Sequence, residues 1–400
     1  MTLWLRRTHN CQERARMEPL IHLAFVDDWE VRGNGSGDPR VLQFAPMRRL
    51  TELYQKFGLR GSFNAEVMQQ LTYRKLQGRF PELKILADEW EQAVTDSFRQ
   101  GHDIQLHLHP QWIAAEYHGQ DGWTLRGDWS IINYPGQQMR ALLLSCKQFL
   151  ETLLRKIDPQ YSCVSFRAGS WCAAPSDSLF PILSELGFVF DMSIVAGIHY
   201  ETPRVKLDYT RCEEGFLPYY PMMNDARRVS QTLEAIVCIP TNTFRASRRA
   251  LLRRDLSKVQ KIFRNRITRV AKGARNASAT SSRGQTGDDW TNRGESGPVG
   301  FVRRAVKRYT RGQTCVSDLS HMNYSMMVRM MDSIRERAAR SGLKQVAVIL
   351  ENHTKDVQDF SDIERFLTQV AHSTDVKTVT LTEIAKGLQD GSFKVRTARQ

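Results

Sequence analysis

Four places in the sequence put side chains that could activate water directly after a short apolar run. Leu20–Val26 leads into Asp27-Asp28-Trp29, two adjacent carboxylates and an indole. His102–Leu108 contains His107 and is followed by His109, and period-two alternation turns both imidazoles to one side of a strand end. Two imidazoles and a carboxylate such as Asp28 make a ligand set for a divalent ion, with zinc the first choice. Ser162–Phe166 leads to Arg167-Ala168-Gly169-Ser170-Trp171, and Gln345–Leu350 to Glu351-Asn352-His353. Taken singly, each has an ordinary reading: a solvated turn, a chance HxH, a structural ion pair, a satisfied histidine. Gathered at one end of a sheet they form a hydrolytic set. A metal would lower the pKa of a water and polarise a carbonyl, an aspartate would take the water's proton, and a separate histidine would protonate a leaving amine.

Gathering them requires strands that all point the same way. Eight apolar runs recur along the chain: Leu20–Val26, Leu59–Phe63, His102–Leu108, Ser162–Phe166, Phe188–Asp191, Ala235–Pro240, Gln345–Leu350 and Val376–Thr380. Helix-like stretches alternate with them, at Ala45–Phe57, Ala87–Gln100, Gly136–Ile157, Ser176–Leu186 and Tyr324–Ser341. Strand–helix alternation over eight units predicts an α/β fold, a closed or nearly closed barrel of seven or eight parallel strands, with its chemistry at the C-terminal strand ends.

Charge marks an interruption in that pattern. Between Arg245 and Gly312 there are 19 lysines and arginines against four acids, although the whole chain carries only +14. Everything else is close to neutral, which argues against a nucleic-acid-binding fold throughout and for one localised contact with a polyanion. From Arg248 to Lys272, Leu252, Leu256, Val259, Phe263, Ile267 and Val270 recur at helical spacing among basic residues, a pattern that predicts a basic amphipathic helix, either lying on an anionic membrane surface or packed on the barrel within a solvated loop. The Ser/Gly/Asn/Arg-rich stretch 273–300 reads as disordered. The expected organisation is a disordered extension at 1–16, a catalytic barrel over 17–244 and 313–390, and a basic insertion at 245–312. Seven scattered cysteines without CxxC spacing read as free thiols in a reducing compartment. With no signal-peptide stretch and no long apolar run, a cytoplasmic protein is expected, peripheral on the inner face of the membrane if the helix binds there.

The order of these motifs resembles the polysaccharide deacetylases of the NodB-homology type, carbohydrate esterase family 4, across roughly residues 20–355. The resemblance implies a distorted or incomplete (β/α) barrel that removes an acetyl group from an N-acetylated amino sugar in a polysaccharide or lipid-linked glycan. It implies that Asp27 is the general base, Asp28 and His107 are metal ligands, Arg167 orients Asp27, Asp191 orients the catalytic histidine, and His353 is the general acid. The family's second ligand histidine lies four residues after the first, where this chain has Gln111, so His109 is the expected substitute. Trp29 stands where the family has glycine, the arginine motif lacks the family's prolines, and Trp29 and Trp171 are the candidates for contacting the sugar. Two competing readings keep the fold: hydrolysis of another non-peptide amide, or an inactive glycan-binding barrel.

Overall fold

The computed structural model describes residues 18–252, 313–357 and 359–398. The expected extension at 1–16 and all of the insertion helix beyond its first turn, 248–252, lie outside the described residues. The chain runs β1 (Leu20–Trp29), α1 (Ala45–Lys56), β2 (Ser62–Glu66), α2 (Val67–Leu76), α3 (Pro81–Arg99), β3 (Asp103–Leu108), α4 (Gly136–Leu154), β4 (Ser165–Ala168), α5 (Leu179–Glu185), β5 (Phe190–Asp191) and β6 (Val237–Cys238). After the antiparallel pair β7 (Thr243–Ala246) and β8 (Gln313–Val316) come α6 (Tyr324–Ser341), β9 (Gln345–Asn352), α7 (Ser361–Ala371), β10 (Val376–Thr378) and α8 (Leu381–Gln389). Local signals explain several boundaries. The Asn323 side chain accepts from Met326 N to start α6, and Gly342, at φ 69°, ends it in the left-handed conformation. Thr380 and Glu383 form a reciprocal capping box at α8.

All eight expected strands lie in one sheet, ordered β6-β5-β4-β3-β2-β1-β9, with β10 also on β1. Every pairing in it is parallel. The sheet curls into an open barrel. Its two edges are bridged by irregular backbone, with Asn242 N donating to Ile349 O and Glu351 N donating to Ser317 O.

Strand alternation divides β1 between two cores. Leu23, Phe25 and Trp29 pack outward in the main core with the helices, whereas Ala24 and Val26 point inward with Phe190, Met192, Ile239 and Ile349. Leu381, Ile384 and Ala385 of α8 complete that inner core, and Thr382 N donates to Asp103 Oδ2 at the start of β3. Apolar side chains therefore fill the N-terminal end of the barrel, and the inward positions one step further along are left for polar groups. Truncating an inner residue such as Ile349 to alanine should cost about 2–5 kcal/mol.

Candidate active site

Continuing inward along β1 past Val26, alternation reaches Asp28 and then Glu30. The neighbouring strand ends add Asn64 and Glu66 from β2, His107 from β3, Arg167 from β4 and Glu351 from β9, because the register sets Asn64 beside Asp28, Glu66 beside His107 and His107 beside Arg167. His109 and His353 follow directly after their strands. All of these side chains are buried.

Two adjacent clusters result. Glu30, Glu66, His107 and His109 each offer a donor atom within 4.8 Å of the others, and Asp28, Glu351 and His353 do the same. Glu30 Oε2 lies 2.6 Å from His109 Nε2 and 3.5 Å from His107 Nε2, while its Oε1 is bonded by Lys355 Nζ. Asp28 Oδ1 accepts from Asn64 Nδ2 at 2.8 Å and lies 3.8 Å from Arg167 Nε. Arg167 donates to Glu351 Oε1, as does the Trp171 indole at 2.8 Å. His353 Nδ1 meets Asp318 Oδ2 at 2.8 Å, and its Nε2 faces Glu351, Asp28 and Glu30 at 3.8, 3.9 and 4.0 Å.

Burial and neighbours set the charges. Burial pushes Asp28 up, but Arg167, His107 and His353 outweigh it and hold the carboxyl below its usual range. Glu30 is likewise held low against burial by His109 and Lys355, and Asp318 by His321 and His353. Burial dominates at Glu66, raising it to about 8, and also raises Glu351. His353 is desolvated too, yet Asp318 lifts it to about 10, so it is an imidazolium at neutral pH.

The surroundings thus favour the anions of Asp28, Glu30 and Asp318 beside Arg167, Lys355 and His353, burial favours the protonated forms of Glu66 and Glu351, and, against its own burial, His107 is raised by Asp28 and Glu30. A divalent cation would be compensated by releasing the protons of Glu66 and Glu351. The donor set fits such an ion in a second respect, because His107 Nε2 and Glu66 Oε2 are buried with no hydrogen-bond partner among the described residues. His107 Nδ1 lies 3.1 Å from the Arg167 carbonyl, which can only accept, so a neutral ring carries its hydrogen there and leaves the Nε2 lone pair free to ligate. His109 is arranged differently. The Gln111 amide nitrogen donates to Gly33 O at 3.1 Å and to His109 Nδ1 at 2.9 Å, so the neutral His109 ring carries its hydrogen on Nε2, toward Glu30. His107 therefore fits a metal as it stands, Glu66 once its proton is released and Glu30 in exchange for its bond to Lys355, and His109 would need the Gln111 amide to turn over before ligating through Nε2.

The geometry departs from expectation at five further residues. Asp27 shares the outward side of β1 with Phe25 and Trp29, and its oxygens accept from Asn352 Nδ2 at 2.6 Å and Thr354 Oγ1 at 3.2 Å. Arg167 accordingly serves Asp28 and Glu351, not Asp27. Asp191 is bonded to the Ser193 amide and hydroxyl, and that hydroxyl accepts from Ala168 N, so Asp191 braces the arginine loop while Asp318 occupies the place behind His353. Trp29, a candidate sugar contact, is fully buried, donates to Gln43 O and packs on Phe44 and Trp90. Trp171 is also buried, its role here being the bond to Glu351, and its backbone and that of Ser170 are left-handed at φ 56° and 54°. Glu30, Glu66, Asp318 and Lys355 join the site beyond the residues that the sequence motifs point to, and Glu351, which follows an apolar run there, takes a place beside Asp28 and His353. Among these Glu30 has a sequence signal, since it follows Asp28 by two residues, in period with the inward side of β1 and directly after its last residue.

Neither a protein-family model nor a curated protein matches the chain. Among solved structures it is similar to a protein assigned as a polysaccharide deacetylase from Mycobacterium smegmatis, at 14% identity over 96% of this chain and 95% of that one, TM-score 0.46. It is also similar to one so assigned from Pseudomonas aeruginosa PAO1, at 10% identity, 94% of each chain and TM-score 0.45. A third is PuuE allantoinase, at 11% identity, 93% of this chain and 91% of that one, TM-score 0.45. Likenesses at this level assign no reaction to the chain.

Proposed function

We propose that this chain is a metal-dependent amide hydrolase that removes an acetyl group from an N-acetylated amino sugar of a polysaccharide or lipid-linked glycan. The observation that supports it most is the convergence of two histidines and two glutamates around one point, with a second cluster of Asp28, Glu351 and His353 beside them. The sugar and the acetyl group come from the order of the sequence motifs, and the inner clusters support the hydrolytic chemistry.

In this reading Glu30, Glu66 and His107 hold the ion, joined by His109 once the Gln111 amide turns. A divalent ion there would polarise the amide carbonyl and make a water acidic. Asp28, on the inner side of β1 and ionised, accepts the water's proton. His353 protonates the departing amine from Nε2, and Asp318 keeps it oriented and charged until that moment. Arg167 holds Asp28 and Glu351 in place. The base thus moves one residue along β1 from Asp27, and the carboxylate ligand moves from Asp28 to Glu30.

Metal analysis of the purified protein, together with acetate release from free and lipid-linked N-acetyl sugars before and after chelation, tests this. Stoichiometric metal and chelator-sensitive acetate release are expected. Hydrolysis only of other linear or cyclic amides, with no acetate from the sugars, would overturn the substrate, and absence of both metal and turnover would overturn the reading as a whole.

A further inference from the structure

Lys355 stands within the site without a role in the chemistry above. It follows His353 by two residues, on the single turn Thr354–Asp356. Its side chain is only 9% exposed and its ammonium is bonded to Glu30 Oε1, while Glu30 Oε2 faces His109 and His107. One carboxylate is therefore divided between a fixed cation and the two imidazoles. Besides Glu30, the charged groups that bear on the ammonium include Asp356 and Asp28.

We propose that Lys355 competes with the divalent ion for Glu30 and so sets how tightly the site loads, an inference that rests on the metal-dependent reading. A carboxylate held by an ammonium has less negative charge to offer an ion. Once the ion is bound, two like charges sit on either side of one carboxylate where water is largely excluded and repulsion is weakly screened. A lysine suits this better than an arginine, because its charge is a compact point on a flexible four-carbon stem and can leave Glu30 without disturbing the turn. Asp356, on the same turn, is the carboxylate to which it can withdraw. The metal-free state is then stabilised by Lys355 in the place of the ion, and loading exchanges one cation for another.

The exchange predicts opposite signs for two measurements on Lys355→Met. Without metal, the variant leaves Glu30 buried without its ammonium and should melt at a lower temperature than wild type. With metal, the repulsion is gone, and chelator competition should show zinc and cobalt bound about tenfold more tightly or better. Lys355→Arg keeps the charge and should stay within a few-fold of wild type in affinity. Lys355→Gln serves for the affinity measurement should the methionine variant not fold without metal. A lysine that merely supports the turn would lower both quantities together. If wild type binds zinc and neither neutral variant binds it more tightly, the competition is wrong while the proposed function stands. If neither wild type nor variants bind a divalent ion, the hydrolase reading fails and this inference with it.

Discussion

Asp27→Asn separates the base implied by motif order from the one implied by geometry. Burial raises Asp27 from the ordinary 3.8 to about 7. A carboxyl shifted upward contributes stability that is fully present below its unfolded pKa and is lost as pH rises through its folded pKa. By about pH 8 the shift of roughly 3 units corresponds to about 4 kcal/mol forfeited by the wild type, at about 1.4 kcal/mol per unit. Roughly 1–2 kcal/mol of that is already gone near pH 5. An asparagine amide can still accept from Asn352, and its nitrogen can donate to Thr354 Oγ1, without ever ionising. Compared with wild type, Asp27→Asn should therefore gain about 2–3 kcal/mol in unfolding free energy between pH 5 and pH 8, read from urea midpoints at the two values. Turnover should fall by less than about tenfold, whereas Asp28→Asn should lose about 10²–10⁴-fold, the usual share of general-base catalysis. A loss of that size in Asp27→Asn, with metal content intact and no pH-dependent gain in stability, would return the base to Asp27 and refute the argument from strand alternation.

Other consequences can be measured independently. Asp318→Asn removes the carboxylate that lifts His353 to about 10, so the alkaline limb of the kcat profile should move down toward the ordinary histidine range; an unmoved limb would detach Asp318 from the acid. At Gly169 an added Cβ would lie 2.8 Å from both His109 Nδ1 and Leu108 O. Gly169→Ala should thus displace the His109–Gln111 pair, cost about 1–3 kcal/mol and reduce bound metal; full metal occupancy in that variant would mean His109 is dispensable to the site. Deleting residues 253–300, which spares Ala250 and Leu251 of the main core, should abolish co-sedimentation with anionic vesicles while the barrel keeps its metal, each basic residue near such a surface contributing about 1 kcal/mol. Equal binding by both proteins, or by neither, would show that the basic segment makes no membrane contact.

Apolar runs revealed the barrel well, because a parallel strand covered on both faces must be apolar along most of its length. They served less well where a strand turns polar. Leu59–Phe63 was the visible run, but β2 is Ser62–Glu66, shifted toward the site, and its inward Asn64 and Glu66 carry no apolar signal. Helix α2 was missed for a similar reason, since Gln69 and Gln70 are buried polar residues inside it. The period-two rule that joined His107 to His109 also separates Asp27 from Asp28 and brings in Glu30, but the adjacent carboxylates drew attention as a pair. Asp318 lay beyond local reasoning altogether. It stands past the insertion, and only the bridge between Asp318 and Glu351 brings it behind His353.

The short ladder of β7 and β8 sets Ala246 directly opposite Gln313, and Ala250 and Leu251 just beyond it are buried in the main core, so the stretch between Leu252 and Gln313 is anchored to the barrel at both ends. Once two ends are pinned together, the entropy of joining them through intervening chain grows only with the logarithm of its length, about 0.6 kcal/mol for each doubling. The barrel is therefore nearly indifferent to how much sequence is carried there. Length and charge between those ends can vary without altering the chemistry at the strand ends.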